Sequence, residues 1–133
     1  MRRLHTFRYP GLLFALTLLT GCSEAGRTIE FDAAEAPSGE HRLIALIIEP
    51  WFPQGPHEVV LALESPPGGA RQELLRTELA YDGVPFTRRN IGLRWTSART
   101  AVVCLSATDR PDKGVRISVP EKGPAVMTLK EGC

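Results

Sequence analysis

Residues 42–64 read RLIALIIEPWFPQGPHEVVLALE, and they set the fold class of the chain. The segment 43–48 is continuously apolar, yet it is too short and too rich in β-branched side chains for a typical helix, so it predicts a strand buried on both faces. Residues 58–64 place apolar side chains on both faces of a second strand. Three prolines between the two segments remove backbone donors and fix φ. The stretch therefore predicts a long hairpin whose loop carries two large aromatic side chains.

Shorter β patterns lie on both sides of this hairpin. Residues 28–32 alternate and predict a first edge strand, whereas residues 72–81 are ambiguous because their first half favours helix by propensity and their second half alternates. We interpret 72–81 as a strand because the rest of the chain is β. Further strands are predicted over 90–96, 100–107, 115–119 and 126–130, with turns at 97–99, 109–114 and 120–124. Seven or eight such strands predict an all-β fold, a small antiparallel β-sandwich of immunoglobulin-like type or a related barrel.

A different pattern occupies the start of the chain. Three arginines within the first eight residues precede an apolar run over 11–21, and polar residues follow at once. This is the layout of a signal peptide, and the run is shorter than the roughly 20 residues that a membrane-spanning helix needs. The run ends in Leu19-Thr20-Gly21-Cys22, which resembles the lipobox of bacterial lipoproteins.

The lipobox resemblance implies cleavage after Gly21 and a diacylglyceryl thioether on the sulfur of Cys22, with the membrane bound through these acyl chains. Ser23 stands where the enterobacterial sorting pattern has Asp for inner-membrane retention, so we expect the periplasmic side of the outer membrane. The alternatives are the inner membrane, or ordinary secretion to the periplasm after cleavage at Ser23-Glu24-Ala25. The implied domains are a signal peptide over 1–21, a lipidated cysteine and tether over 22–40 that includes the possible edge strand, and a β-sandwich domain over 41–133.

The expected cleavage sets the net charge and the number of free cysteines of the mature chain. Residues 22–133 number 112 and carry 13 Lys and Arg against 15 Asp and Glu, a net charge of −2 that gives no case for nucleic-acid binding. Lipidation of Cys22 leaves Cys104 and Cys133, and two cysteines in an oxidising compartment predict a disulfide that closes a loop of about 30 residues. An intermolecular bridge through Cys133, or a reactive thiol, is the competing interpretation.

No catalytic, metal-binding or cofactor-binding pattern is recognisable in the sequence. His57-Glu58-Val59-Val60-Leu61 begins like the helix of a zinc protease, but Leu61 stands where the second histidine ligand is required. A serine-hydrolase elbow and a phosphate-binding glycine loop are also missing from the sequence. We therefore expect a protein that is not an enzyme and that needs no cofactor and no metal.

Two features suggest binding. Trp51 and Phe52 lie between prolines and form either an aromatic anchor for a partner or a lid on the open end of the core. Arg88 and Arg89, with Arg94 beside Trp95, form either a basic strip for an acidic partner such as lipopolysaccharide or peptidoglycan, or a solvated strand face.

The expected function is that of a lipid-anchored lipoprotein whose non-catalytic β domain binds another envelope component, a protein or a glycan. The alternative is a small periplasmic inhibitor of a hydrolase such as lysozyme, by analogy of size and location.

Overall fold

The computed structural model describes residues 26–50, 55–79 and 86–133. Cys22, Trp51 and Phe52 lie outside the described residues, so the lipobox and the aromatic-loop predictions stay predictions. Among the described residues no helix has the length and apolar character to cross a membrane. The strands are β1 (Thr28–Glu35), β2 (Arg42–Ile48), β3 (His57–Glu64), β4 (Arg71–Leu79), β5 (Ile91–Ser97), β6 (Thr100–Ala107), β7 (Arg110–Ser118) and β8 (Val126–Glu131).

The eight strands form two four-stranded antiparallel sheets, a first sheet in the order β1-β2-β3-β4 and a second sheet in the order β5-β6-β7-β8. The all-β sandwich predicted from the sequence is confirmed. The strand order differs from that of the immunoglobulin fold, which distributes its strands between the sheets through Greek-key connections. Here two-residue turns at 98–99 and 108–109 join neighbouring strands, and such turns connect only adjacent antiparallel strands. Each sheet is therefore a simple meander.

The core lies between the sheets and is built by alternate side chains of each strand. Its largest fully buried members include Leu43, Leu61, Ile91, Val103, Leu105, Val115 and Ile117. Ile44 follows Leu43 on the opposite face of β2 and is also fully buried. The prediction that β2 is buried on both faces is confirmed. Because Ile44 lies on the outer face of the first sheet, other side chains on that face must cover it.

Two local predictions are resolved by the pairing register. Residues 71–79 form a strand, and the helix-favouring segment within it is accommodated by a bulge at Leu74, because Leu61 pairs Leu75 while Ala62 pairs Glu73. The turn predicted over 109–114 is shorter than expected. The chain turns at 108–109, and Pro111 lies within β7 at the register shift opposite Leu105 and Ala107. A proline is tolerated there because the ladder is already interrupted.

Different hydrogen bonds join the two sheets at the two side edges of the sandwich. At one edge β1 and β5 meet, and the indole N–H of Trp95 donates to the carbonyl oxygen of Ala34 at 2.8 Å. At the other edge the side-chain amide of Gln72, on β4, donates to the carbonyl of Ala125, the residue before β8, at 3.3 Å and accepts from its N–H at 3.1 Å. Each edge is thus closed by polar contacts to the backbone.

Candidate functional site

The two sheets carry opposite charge. Residues 26–79 contain four arginines and nine acidic residues, a formal charge of −5, whereas residues 86–133 contain nine Lys and Arg and four acidic residues, a formal charge of +5. Because each sheet is built from one contiguous half of the chain, this sequence asymmetry becomes a spatial asymmetry. Each sheet therefore has its own electrostatic potential, negative for the first and positive for the second.

The outer face of the first sheet neutralises its charges internally. Arg42 contacts Glu30 at 2.5 Å and Glu64 at 3.5 Å, while Arg71 contacts Glu64 at 2.8 Å and Glu30 at 3.4 Å. The four side chains form a closed ring of alternating charge, hereafter the ion ring. On the same face Ile44 is fully buried, so we infer that the long side chains of the ion ring cover apolar side chains beneath them.

Glu64 is the least exposed member of the ion ring, at 3% of its full accessibility. The backbone N–H of Gly68 donates to its carboxylate at 2.7 Å, and the Arg71 guanidinium donates at 2.8 Å. These donors, the Gly68 amide first, hold the pKa of Glu64 below its ordinary value. Glu64 is therefore a structural carboxylate whose hydrogen-bonding capacity is used within the sheet.

A second set of ion pairs on this face centres on Arg76. Its guanidinium contacts Glu73 at 2.9 Å and Glu58 at 2.5 Å, and the hydrogen bond to Glu73 is the main cause of its raised pKa. The same hydrogen bond lowers the pKa of Glu73. The arginines of this outer face are thus already paired, which leaves it poorly suited to bind an external anion.

The outer face of the second sheet has the opposite character. Arg94 pairs with Val102, Val102 with Arg116, and Arg116 with Thr128, so one row crosses all four strands. The two arginines lie on alternate strands and therefore about 10 Å apart along this row. Lys130 lies on the same face in the next row.

Among the described residues, Arg94, Arg116 and Lys130 form no ion pair and no side-chain hydrogen bond, and all three are exposed. We call this surface, with the hydroxyl side chains that accompany it, the basic face. Its hydroxyl residues are Thr96, Ser118 and Thr128. The basic face thus offers unpaired cations beside hydroxyl donors and acceptors.

The next row of the basic face consists of Gly92, Cys104, Gly114 and Lys130. Cys104 forms the predicted disulfide with Cys133, with a Cα–Cα distance of 5.5 Å. The two sulfurs are joined to each other and so are not free thiolates for metal binding. The disulfide therefore holds the carboxyl-terminal residues against this row.

One carboxylate, that of Asp112, lies near the disulfide, within 4.8 Å of both sulfur atoms. Asp112 lies on β7 two residues before Gly114, so it marks one boundary of the basic face. The other acidic residues described in the second half of the chain are Asp109, Glu121 and Glu131. Asp109 and Glu121 contact Arg110 and Arg99, respectively. Positive charge therefore dominates the face.

The predicted pair Arg88 and Arg89 lies on a turn before β5, not on a strand face. Asn90 fixes this turn, because its side-chain oxygen accepts from the Thr87 N–H at 2.8 Å and its amide donates to the Ser106 carbonyl at 3.0 Å. The turn and residues 106–108 together line a groove of about 630 Å³. Both arginines are exposed and form no ion pair among the described residues. They add a second cationic element at the end of the second sheet.

The structure separates Arg88 and Arg89 from Arg94, which the sequence analysis treated as one strip. It also adds Arg116 and Lys130, which the sequence analysis missed. Arg116 and Lys130 are far from Arg94 in the sequence, so the sequence does not show that the three share a face. Only the strand register brings them together. Two sequence features could have indicated the basic face: the alternation of polar and apolar residues within β7 and β8, and the unequal charge of the two halves of the chain.

The two histidines of the described residues pack against aromatic rings. His41 stacks on Trp95 with ring centroids 6.2 Å apart, and its Nδ1 lies 2.8 Å from the Ser65 hydroxyl. His57 stacks on Phe86 at 5.1 Å. These contacts place both imidazoles in the packing of the sandwich.

Comparison with protein-family models, with curated proteins and with solved structures finds no match for this chain. The chemistry of a ligand is therefore inferred from the basic face itself.

Proposed function

We propose that this chain is a lipid-anchored envelope lipoprotein whose β domain binds an anionic glycan of the envelope through the basic face, without catalysis. The observation that carries the proposal is the set of three unpaired cations, Arg94, Arg116 and Lys130, on one exposed sheet face. The first sheet supports it by contrast, since its arginines are paired with carboxylates.

The shape and chemistry of the basic face suit a polysaccharide that carries phosphate or carboxylate groups. Arginine binds such groups through two parallel hydrogen bonds, and the two arginines are spaced to contact successive anionic groups of a chain. Gly92 is exposed on β5 and leaves room for a sugar ring to approach the sheet there, and the neighbouring hydroxyls pair with sugar hydroxyls. Exposed charges are screened by salt, so binding should weaken as ionic strength rises.

The lipobox resemblance supports a partner at the membrane, because a lipid anchor would hold the domain close to the bilayer. If Cys22 carries the lipid, residues 23–27 join it to β1, and a chain of that length spans at most about 20 Å. The domain would remain close to the bilayer surface, within reach of glycans attached to or lying beside the outer membrane. We propose the periplasmic side of that membrane as its site.

The binding proposal is tested with a soluble form of residues 23–133 and two probes, purified lipopolysaccharide and peptidoglycan sacculi. We expect the double variant Arg94→Gln/Arg116→Gln to bind the preferred probe about tenfold more weakly, as the loss of one or two charge-assisted contacts implies. The matched control is Arg27→Gln/Lys122→Gln, which removes the same charge from exposed positions outside the strands of the face. Equal binding by the two double variants would contradict the proposal.

Anchoring is tested separately on the full chain in its host membrane. The expected mature species begins at Cys22, carries acyl chains detectable by mass spectrometry and incorporates labelled palmitate. Replacement of Cys22 by Ala should abolish labelling and release the domain from the membrane fraction. An unlabelled wild-type protein that begins elsewhere would contradict the anchoring proposal and leave the basic-face proposal intact.

A further inference from the structure

The four edge strands of the sandwich differ in regularity. The pairings of β1, β4 and β5 each contain a register shift, whereas the pairing of β8 with β7 contains none. Proteins commonly use bulges to prevent an edge strand from pairing with another chain. Among the described edges, β8 lacks this protection.

Exposed apolar side chains concentrate on the same strand. Val126 is 59% exposed and Leu129 is 50% exposed, and these are the exposed large hydrophobic residues of the described chain. They project to opposite faces of the sheet, since their positions differ by an odd number of residues. A strand added beside β8 would cover part of both.

β8 is fixed at both ends although its middle is open. At its start, the Gln72 amide forms two hydrogen bonds with the backbone of Ala125. Beyond its end, the chain turns at Gly132, whose N–H donates to the Asp112 carbonyl at 2.8 Å, and Cys133 is bonded to Cys104. An edge strand held in this way is ordered before a partner arrives, which lowers the entropic cost of binding.

A groove of about 440 Å³ lies at the carboxyl-terminal end of β8, where it is lined by residues 129–131 and by residues 110–113 of β7. Leu129 and Pro111 supply its apolar surface, and Arg110, Lys113 and Lys130 supply cations. Asp112 and Glu131 also line it, and Arg110 contacts Asp109 at 3.3 Å, so Lys113 and Lys130 are the lining cations that form no ion pair among the described residues. The charge of +5 on residues 86–133 adds to the local excess of cations. The groove therefore complements a segment that combines apolar and acidic side chains.

We propose that β8 binds an extended acidic peptide segment of a partner protein, which adds to the second sheet as a fifth strand. Backbone hydrogen bonds to β8 supply the affinity, and Leu129 and the flanking cations select alternating apolar and acidic side chains. A second copy of this chain is disfavoured at the same edge. It would bring another sheet of charge +5 alongside, and the like charges would repel.

The probe is a short synthetic peptide of alternating valine and glutamate, and the measurement is backbone amide chemical shift and hydrogen exchange in β8. Protection confined to β8 and a clear loss of binding with N-methylated peptide are expected, because methylation removes the donors that a strand needs. Replacement of glutamate by lysine in the peptide should weaken binding by about tenfold. Equal binding of the methylated or the lysine peptide would overturn the proposal, as would unchanged exchange in β8.

Two protein variants complete the test. Leu129→Glu should weaken peptide binding by about tenfold, whereas Lys122→Gln, which lowers the net charge equally on an exposed turn, should not change it. Both variants should retain glycan binding, so failure of this proposal is distinguishable from failure of the basic-face proposal. Protection of β8 that rises with protein concentration in the absence of peptide would identify a second copy as the occupant and overturn the assignment.

Discussion

A β-carbon on Gly114 would lie 2.5 Å from the carbonyl oxygen of Gly132, a distance at which no side chain fits. Gly114 is buried in the middle of β7, directly between Cys104 on β6 and Lys130 on β8. The carboxyl-terminal residues cross the sheet at this position on their way to Cys104. The absence of a side chain at Gly114 is therefore a condition for the disulfide to form over the sheet.

Gly114→Ala should consequently displace the terminal turn and lower the free energy of unfolding by about 1–3 kcal/mol, the usual cost of overpacking. Its control is Gly92→Ala on the other side of Cys104, where an added β-carbon meets the Cys104 β-carbon at an ordinary 3.8 Å. We expect Gly92→Ala to be neutral or slightly stabilising, because glycine is unfavourable in a strand. Urea unfolding and a free-thiol assay measure both; equal effects of the two substitutions would contradict the steric explanation.

The double variant Cys104→Ser/Cys133→Ser should be less stable than the wild type, because without the disulfide the unfolded chain gains conformational entropy. The cysteines are 29 residues apart, and a loop of about that length is worth roughly 3.5 kcal/mol in the chain-entropy model. Hydrogen exchange should accelerate first in β8, which the disulfide holds at one end. Uniform acceleration over both sheets would show that the bond does not act locally on this strand.

Trp95→Phe should separate packing from hydrogen bonding at the β1/β5 edge. Phenylalanine retains most of the apolar contact but lacks the donor that reaches the Ala34 carbonyl at 2.8 Å. We expect a loss of about 1 kcal/mol in the free energy of unfolding, measured by urea titration. A loss no larger than that of Thr96→Ser, an exposed change on the same strand, would mean that water replaces the indole donor without cost.

Glu64→Gln should change the pH dependence of stability. The pKa of Glu64 is lowered in the folded state, so its stabilising contribution is present above the unfolded value of about 4.3 and is lost as pH falls through the folded value. The wild type should therefore be more stable than the variant at pH 7, and the two should converge in strong acid. Urea midpoints across this range measure the effect.

Glu78→Gln is the matched control for Glu64→Gln, because Glu78 lies on the same sheet, is exposed and forms no ion pair among the described residues. Its midpoint should follow that of the wild type at every pH. Parallel curves for wild type and Glu64→Gln would indicate that the ion ring does not depend on this carboxylate.

Alternation of apolar residues was sufficient to predict the strands, because a side-chain period of two is a local property of the chain. The prediction was weakest where a bulge or proline interrupts this period. In β4 the bulge at Leu74 made a strand resemble a helix, and in β7 Pro111 made the start of a strand resemble a turn. Both ambiguities were settled by pairing with a neighbouring strand, which one segment of sequence does not contain.

The candidate site was less accessible to prediction because it depends on register. Glu30, Arg42, Glu64 and Arg71 meet in the ion ring from four strands, and a shift of one residue in any pairing would disperse them. Arg94 and Arg116 are likewise neighbours only through Val102. Cys104 and Cys133 were predicted because counting cysteines requires no register.

The meander order has a consequence for how the domain is made. All four strands of the first sheet precede residue 80, and all four strands of the second follow residue 90, so every hydrogen-bonded ladder closes over a short separation in sequence. Short separations favour rapid folding. If the chain is exported amino terminus first, as we propose, the acidic half would complete its ladders before the basic half has left the export channel. The disulfide would form last, after Cys133 has emerged.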